Sequence, residues 1–159
     1  MEIREATEAD WPQIHPFFAE IVAAGETYAY PDDLSSEEAR GLWMQDHVVV
    51  AVDGDRVLGS AKMGPNRPGR GRHVGTASFM VAPEARGRGV GRALGDYCVA
   101  WHRAEGFRAI QFNAVVETNT GAVRLWQSLG FRILGTVPEA FDSASHGLVG
   151  LHVMHLPLG

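Results

Sequence analysis

The residues best suited to chemistry lie in one stretch, Val81-Ala82-Pro83-Glu84-Ala85-Arg86-Gly87-Arg88-Gly89-Val90-Gly91-Arg92-Ala93-Leu94. Glycines let backbone N–H groups approach a ligand with no Cβ in the way, and a helix opening there adds a positive dipole end. Arg86, Arg88 and Arg92 bring forked donors that match phosphate oxygens. The chemistry implied is diphosphate binding; the plain alternative is a glycine-rich turn carrying solvated arginines. Neither dinucleotide nor P-loop spacing fits. Gly87 and Gly89 are followed by Arg92 where a third glycine is required, and Lys62 precedes Met63 rather than Ser or Thr. An arginine-glycine RNA-binding segment would sit badly in a strand-to-helix transition.

Candidates for acid–base work are scattered. Asn113 lies mid-strand in Gln111-Phe112-Asn113-Ala114-Val115, where an amide needs either a ligand or a hydrogen-bond partner. Glu26 stands in a loop that also holds Tyr28 and Tyr30, and no carboxylate occurs between Asp55 and Glu84. His152 and His155 fall on opposite faces of the last strand and cannot act as a pair. Cys98 shares a helical face with Leu94 and Trp101 and reads as an inert core thiol. Asn119 suits a helix N-cap. Ala122, Leu125, Trp126 and Leu129 are spaced as a packed helical face.

These residues need a frame to hold them. A first strand over 1–6 leads to a helix capped by Thr7 with Asp10, and Gly25 ends it. Ser35 with Glu38 opens a second, short helix. His47 to Asp53 and Val57 to Met63 form a hairpin about Asp53-Gly54-Asp55-Arg56. The stretch Gly64 to Arg72 is expected to be an exposed loop. Strand Val74 to Val81 runs into the glycine turn, and a helix follows from about Val90 to Gly106. Then come strand Ala109 to Val116, helix Asn119 to Leu129, strand Phe131 to Val137, a loop over 138–147, and strand Leu148 to Leu156. This order predicts one α/β domain over 1–159, with a mixed sheet of six to seven strands and about four helices.

Composition narrows the class. The 159 residues carry a formal net charge of −5, with thirteen arginines, one lysine and one cysteine. Net negative charge argues against a general nucleic-acid binder. No apolar run reaches the roughly 18 residues of a membrane span, and the acidic start is unlike a signal peptide. One cysteine cannot build a disulfide or a thiol-rich metal site, so a cytoplasmic protein with no metal is expected.

Two motifs carry a resemblance. Arg86-Gly87-Arg88-Gly89-Val90-Gly91 is similar to the (Gln/Arg)-x-x-Gly-x-(Gly/Ala) signature of the GCN5-related N-acetyltransferases, and Phe79 to Pro83 resembles the strand before it. Asn119 to Phe131 resembles the second signature, Asn-x-x-Ala-x-x-x-(Tyr/Phe/Trp)-x-x-x-Gly-Phe. The resemblance implies an acetyl-CoA-dependent N-acetyltransferase. In that family the turn, here Arg86, Gly87, Arg88, Gly89, Val90, Gly91 and Arg92, wraps the diphosphate of coenzyme A. Two parallel strands splay to admit the pantetheine arm, which would lie against the main chain of Met80 and Val81. Asn119, Ala122 and Trp126 would line the arm.

Two departures stand out against the family. Trp126 takes the place where many relatives carry an acidic tyrosine, leaving Tyr28, Tyr30, water or unaided thiolate departure. The glutamate common on the preceding strand is absent, leaving Glu26, Glu117 or a histidine as base. Asn113 is the expected polar contact to substrate or thioester. The acceptor implied is a small-molecule amine, with a faint likeness to enzymes acting on amino acids and their analogues. A homodimer is a partner the family often uses. The runner-up is a non-catalytic acyl-CoA-binding sensor, with arginine-rich nucleic-acid binding a distant third.

Overall fold

A computed structural model describes residues 1–159. The strands are β1 (Glu2–Glu5), β2 (His47–Asp53), β3 (Arg56–Pro65), β4 (Val74–Val81), β5 (Ala109–Val116), β6 (Arg132–Ser143) and β7 (Gly147–Pro157). The helices are α1 (Trp11–Ala24), α2 (Ser36–Trp43), α3 (Val90–Ala104) and α4 (Thr120–Ser128). One seven-stranded sheet runs in the order β1-β2-β3-β4-β5-β7-β6. Only the β4–β5 pair is parallel.

Local chemistry explains most of these boundaries. The Thr7 N–H donates to Asp10 Oδ2 at 2.8 Å, and Gly25 closes α1 in a left-handed conformation. Ser35 and Glu38 exchange their two hydrogen bonds at 2.9 and 3.0 Å, which starts α2. The β-branched run Val48 to Val52 is buried throughout because β2 lies inside the sheet with both faces covered.

Helices α1 and α2 cover one face, where Trp43 Nε1 donates to Ser60 Oγ of β3 at 2.9 Å. Helices α3 and α4 cover the other, where Trp126 packs on Phe79 with ring centroids 4.6 Å apart. Trp43, Phe18, Ile14, Leu58, Met80, Leu94, Ile110 and Met154 form the fully buried centre.

Two expectations are corrected. The segment 138–147 is mostly the arms of a long β6–β7 hairpin rather than a loop. Pro138 reads as a strand terminator, but β6 is the sheet edge, where a missing N–H toward solvent breaks no ladder bond. Bulges between Ile133 and Gly135, and between Val137 and Phe141, absorb the irregular residues. At the other end, β3 continues to Pro65 and Gly69–Gly71 forms a 3-10 turn inside the expected loop.

The feature that makes the site is a break in pairing. The β4–β5 register holds only at Val74 with Ala109 and Gly75 with Ile110. Beyond that vertex the two strands part, and β5 bulges between Phe112 and Val115.

Candidate active site

The parting strands open a cavity of about 830 Å³ that runs from the glycine turn to the loop after α1. Its lining includes Arg86, Gly87, Gly89 and Gly91 at one end, and Ile21, Glu26, Tyr28, Phe141 and Leu151 at the other. Val90, a buried core residue, also lines the cavity, and the three arginines of the turn differ. Arg86 lines the cavity. Arg88 leans to Asp53 at 3.5 Å, and Arg92 reaches Ser128 Oγ at 3.1 Å and Asp96 at 3.6 Å. Gly89 has φ +79° with open space around it, a conformation that L side chains rarely adopt.

Hydrogen-bond alternation decides which β4 residues face the slot. The Ala82 N–H donates to Leu58 C=O at 2.8 Å, and Met80 stands opposite Ser60. In an antiparallel ladder this turns the Met80 main chain toward β3, and those of Phe79 and Val81 toward the gap. The Met80 main chain is thus engaged with β3, although Met80 itself lies on the cavity lining. Its side chain is buried at 2% exposure, and Val81 lies on the lining with its main chain toward the gap.

At Phe79 the β4 edge is already hydrogen-bonded. The Tyr28 hydroxyl donates to Phe79 C=O at 2.6 Å and accepts from Phe79 N–H at 2.9 Å. Burial raises the Tyr28 pKa well above its ordinary 10.0. Its proton is thus held by a carbonyl, and burial makes the hydroxyl a weaker acid than a free phenol.

Glu26 is also committed. Its carboxylate accepts from Ser145 Oγ at 2.8 Å, Ser145 N–H at 2.9 Å and Ser143 Oγ at 3.3 Å, with His146 Nδ1 3.8 Å away. These bonds, the Ser145 hydroxyl foremost, lower its pKa below 4.5. A carboxylate so held is a weak base. It pins the loop after α1 to the β6–β7 turn, a link across 119 residues.

Asn113 sits in the β5 bulge and does have partners. It donates to Asn66 Oδ1 at 2.6 Å and accepts from Gln111 Nε2 at 2.9 Å. This amide chain ties the end of β3 to β5 beside the cavity, with Asn113 on the lining. Asn119 precedes α4 without a side-chain cap bond, so its amide is free at the cavity wall. Ala122 and Trp126 line the same wall, with Trp126 packed against Phe79, Phe112 and Phe131.

The remaining candidates fall outside this site. His152 bonds Thr136 Oγ1 at 2.7 Å, and Glu117 packs over Gly150. Cys98 is buried, and burial pushes its thiol up to about 12. Ser143, Ser145 and Asn66 were not among the residues singled out by pattern. Short polar side chains in loops carry no periodic signal, and their partners are distant in the chain.

A mixed sheet that splits between two parallel strands, beside a glycine-arginine turn opening a helix, defines a class of acyl-transferring domain. Residues 4–131 match the model of the Acetyltransferase (GNAT) family, and the chain belongs to that family. A GCN5-related N-acetyltransferase from Kribbella flavida is 66% identical and superposes with TM-score 0.96, over 99% of this chain and 97% of that one. N-acetyltransferase aca1 from Schizosaccharomyces pombe is 34% identical over 157 residues, 86% of this chain and 75% of the yeast protein. A phosphinothricin acetyltransferase from Sinorhizobium meliloti in complex with acetyl-CoA is 27% identical, with TM-score 0.88 over 99% of this chain and 88% of that one. The chain is accordingly an N-acetyltransferase of this family.

Proposed function

We propose that the protein transfers the acetyl group of acetyl-CoA to the amine of a small molecule, an amino acid or a close analogue. The supporting observation is the continuous cavity joining the α3 N-terminus to the loop after α1 through the β4–β5 gap. Acetyl-CoA supplies an activated acyl carbon when bound. The residues present suit such a ligand. Arg86 and the N–H groups of Gly87 to Gly91 meet a diphosphate, and the Asn119 amide meets an amide-bearing arm. Val81 presents its main-chain N–H to a carbonyl oxygen and to the charge that develops on it. Ala122 and Trp126 close the wall and exclude water.

The reaction forms one N–C bond and breaks one C–S bond, and the thiolate leaves. With Glu26 clamped and Tyr28 bonded to Phe79, neither group moves a proton. The ammonium proton passes to solvent, so amines of low pKa are favoured. Asn113 orients the acceptor from the β5 bulge. The same clamping supports one other reading, a non-catalytic acyl-CoA sensor.

An acceptor panel incubated with acetyl-CoA, following free thiol, separates the two. Turnover on a small amine is expected; binding without turnover on every acceptor would favour the sensor. In the same assay set, Gly89→Glu is expected to abolish acetyl-CoA binding by calorimetry. The substitution forces a side chain into a left-handed backbone and puts a negative charge in the turn. A folded variant that binds as well as wild type would sink the cosubstrate assignment.

A further inference from the structure

The β4 edge of the slot is bonded by a side chain from the loop after α1. From the glycine turn inward, the β4 residues facing the gap are Val81, Phe79 and Ala77, and the strands rejoin at Gly75. Tyr28 meets the middle one, with both main-chain groups of Phe79 bonded to its hydroxyl. Behind the hydroxyl the ring is braced. It stacks on Tyr30 with centroids 5.8 Å apart and planes at 19°, and Tyr30 lies 5.3 Å from Phe18. Phe18 in turn meets Trp11 and Trp43, each at 6.1 Å. A chain of rings thus anchors Tyr28 to the core under α1 and α2.

Space continues beyond this contact. Thr76, Ala77 and Ser78 all line the cavity, on the vertex side of Phe79. Each strand residue advances about 3.3 Å. The distance from Val81 to Phe79 is therefore about 6.6 Å, and a similar length lies past Tyr28 toward Gly75.

We infer that Tyr28 is the stop that sets acyl chain length. An arm entering from the glycine turn pairs with the Val81 edge, and its acyl end meets the Tyr28 ring before it can reach Ala77. A two-carbon acyl group fits in front of the ring, and longer chains collide with it. The inference rests on the acetyl-CoA reading above and assigns to one residue the selection among thioesters.

Calorimetric titration of coenzyme A, acetyl-CoA, butyryl-CoA and hexanoyl-CoA into wild type, Tyr28→Phe and Tyr28→Ala tests it. A methylene that a pocket cannot accept weakens affinity roughly tenfold or more. Wild type is therefore expected to prefer acetyl-CoA to butyryl-CoA by about a hundredfold, for two added methylenes. Tyr28→Phe keeps the ring and is expected to retain the preference. Tyr28→Ala is expected to lose it, with butyryl-CoA binding as tightly as acetyl-CoA or tighter. If Tyr28→Ala fails to show a cooperative melting transition, Tyr28→Leu serves the same purpose, since leucine is too short to reach Phe79.

An unchanged acetyl-to-butyryl ratio in the folded variant would overturn the stop while leaving the cosubstrate intact. Equal affinity of wild type for the two thioesters would do the same. Failure of wild type to bind any of the four ligands would overturn the acetyl-CoA reading and this inference with it.

Discussion

Gly75 marks the vertex of the strand gap, and its substitution by alanine puts a defined strain on that point. A Cβ built at residue 75 would overlap Cδ2 and Nε2 of His102 and lie 3.4 Å from Phe107 Cδ1. Carbon contacts prefer about 3.5–4.0 Å, so the imidazole would have to recede by more than about 1 Å. It has nowhere to go. His102 is 0% exposed, its Nδ1 is 2.8 Å from the Cys98 carbonyl, and Trp101 and Phe107 stand 4.9 and 4.8 Å away.

Overpacking of this kind destabilises by about 1–3 kcal/mol, and the walled ring places Gly75→Ala at the upper end. For a chain of this size that lowers the melting temperature by about 6–12 °C. Urea unfolding of wild type, Gly75→Ala, His102→Ala and the double variant closes a cycle. With the imidazole gone, Gly75→Ala should be close to neutral. Equal penalties in both backgrounds, within about 0.5 kcal/mol, would show that the clash with His102 is not the cause.

His102 also predicts a pH dependence. Burial lowers its pKa below 6.5, so the unfolded chain takes up a proton that the folded chain refuses. Its contribution is complete above pH 6.5 and is lost as pH falls from there toward the folded value. The urea midpoint of wild type should therefore drop between about pH 7.5 and pH 5.5, more than that of His102→Ala; parallel curves would refute this. In the active site, Asn66→Ala and Asn113→Ala should each lower kcat more than they weaken acetyl-CoA binding. Because the two amides share a bond, the double variant should lose less than the product of the singles, by about 0.5 kcal/mol or more. Strict additivity would return Asn113 to a role independent of Asn66.

Much of the frame was legible in the residues themselves. Ser35 with Glu38, Gly25, and the Val48 to Val52 run mark their elements through local chemistry, and the observed boundaries of β4, β5 and α3 follow the turns that flank them. The hairpin over 132–157 was obscured because Pro138 and Gly135 signal a stop, and edge position alone reverses that signal. In the site, the glycine-arginine turn stood out because it is contiguous. The direction of the Met80 main chain was not readable because it depends on ladder register, which a single strand does not encode. Glu26 and Tyr28 stood out as residues near a site. Their partners, Ser145 and the Phe79 main chain, lie 119 and 51 positions away, and only the folded arrangement brings them together.

The sheet treats its borders unequally, and this has a consequence for aggregation. An unpaired strand edge is a template for another chain. At one border β1 is only four residues long. At the other, β6 is long and carries Leu134 and Val137 at 57% and 52% exposure. Yet Pro138, Glu139 with φ 51° and two bulges break its ladder into short pieces. Both outer borders are thus poor partners for a stray strand, while the interior border between β4 and β5 is unpaired beyond Gly75 except where Tyr28 holds Phe79, and helices cover both faces of the sheet. The molecule thereby keeps a strand-receptive edge inside the fold without offering one to its neighbours.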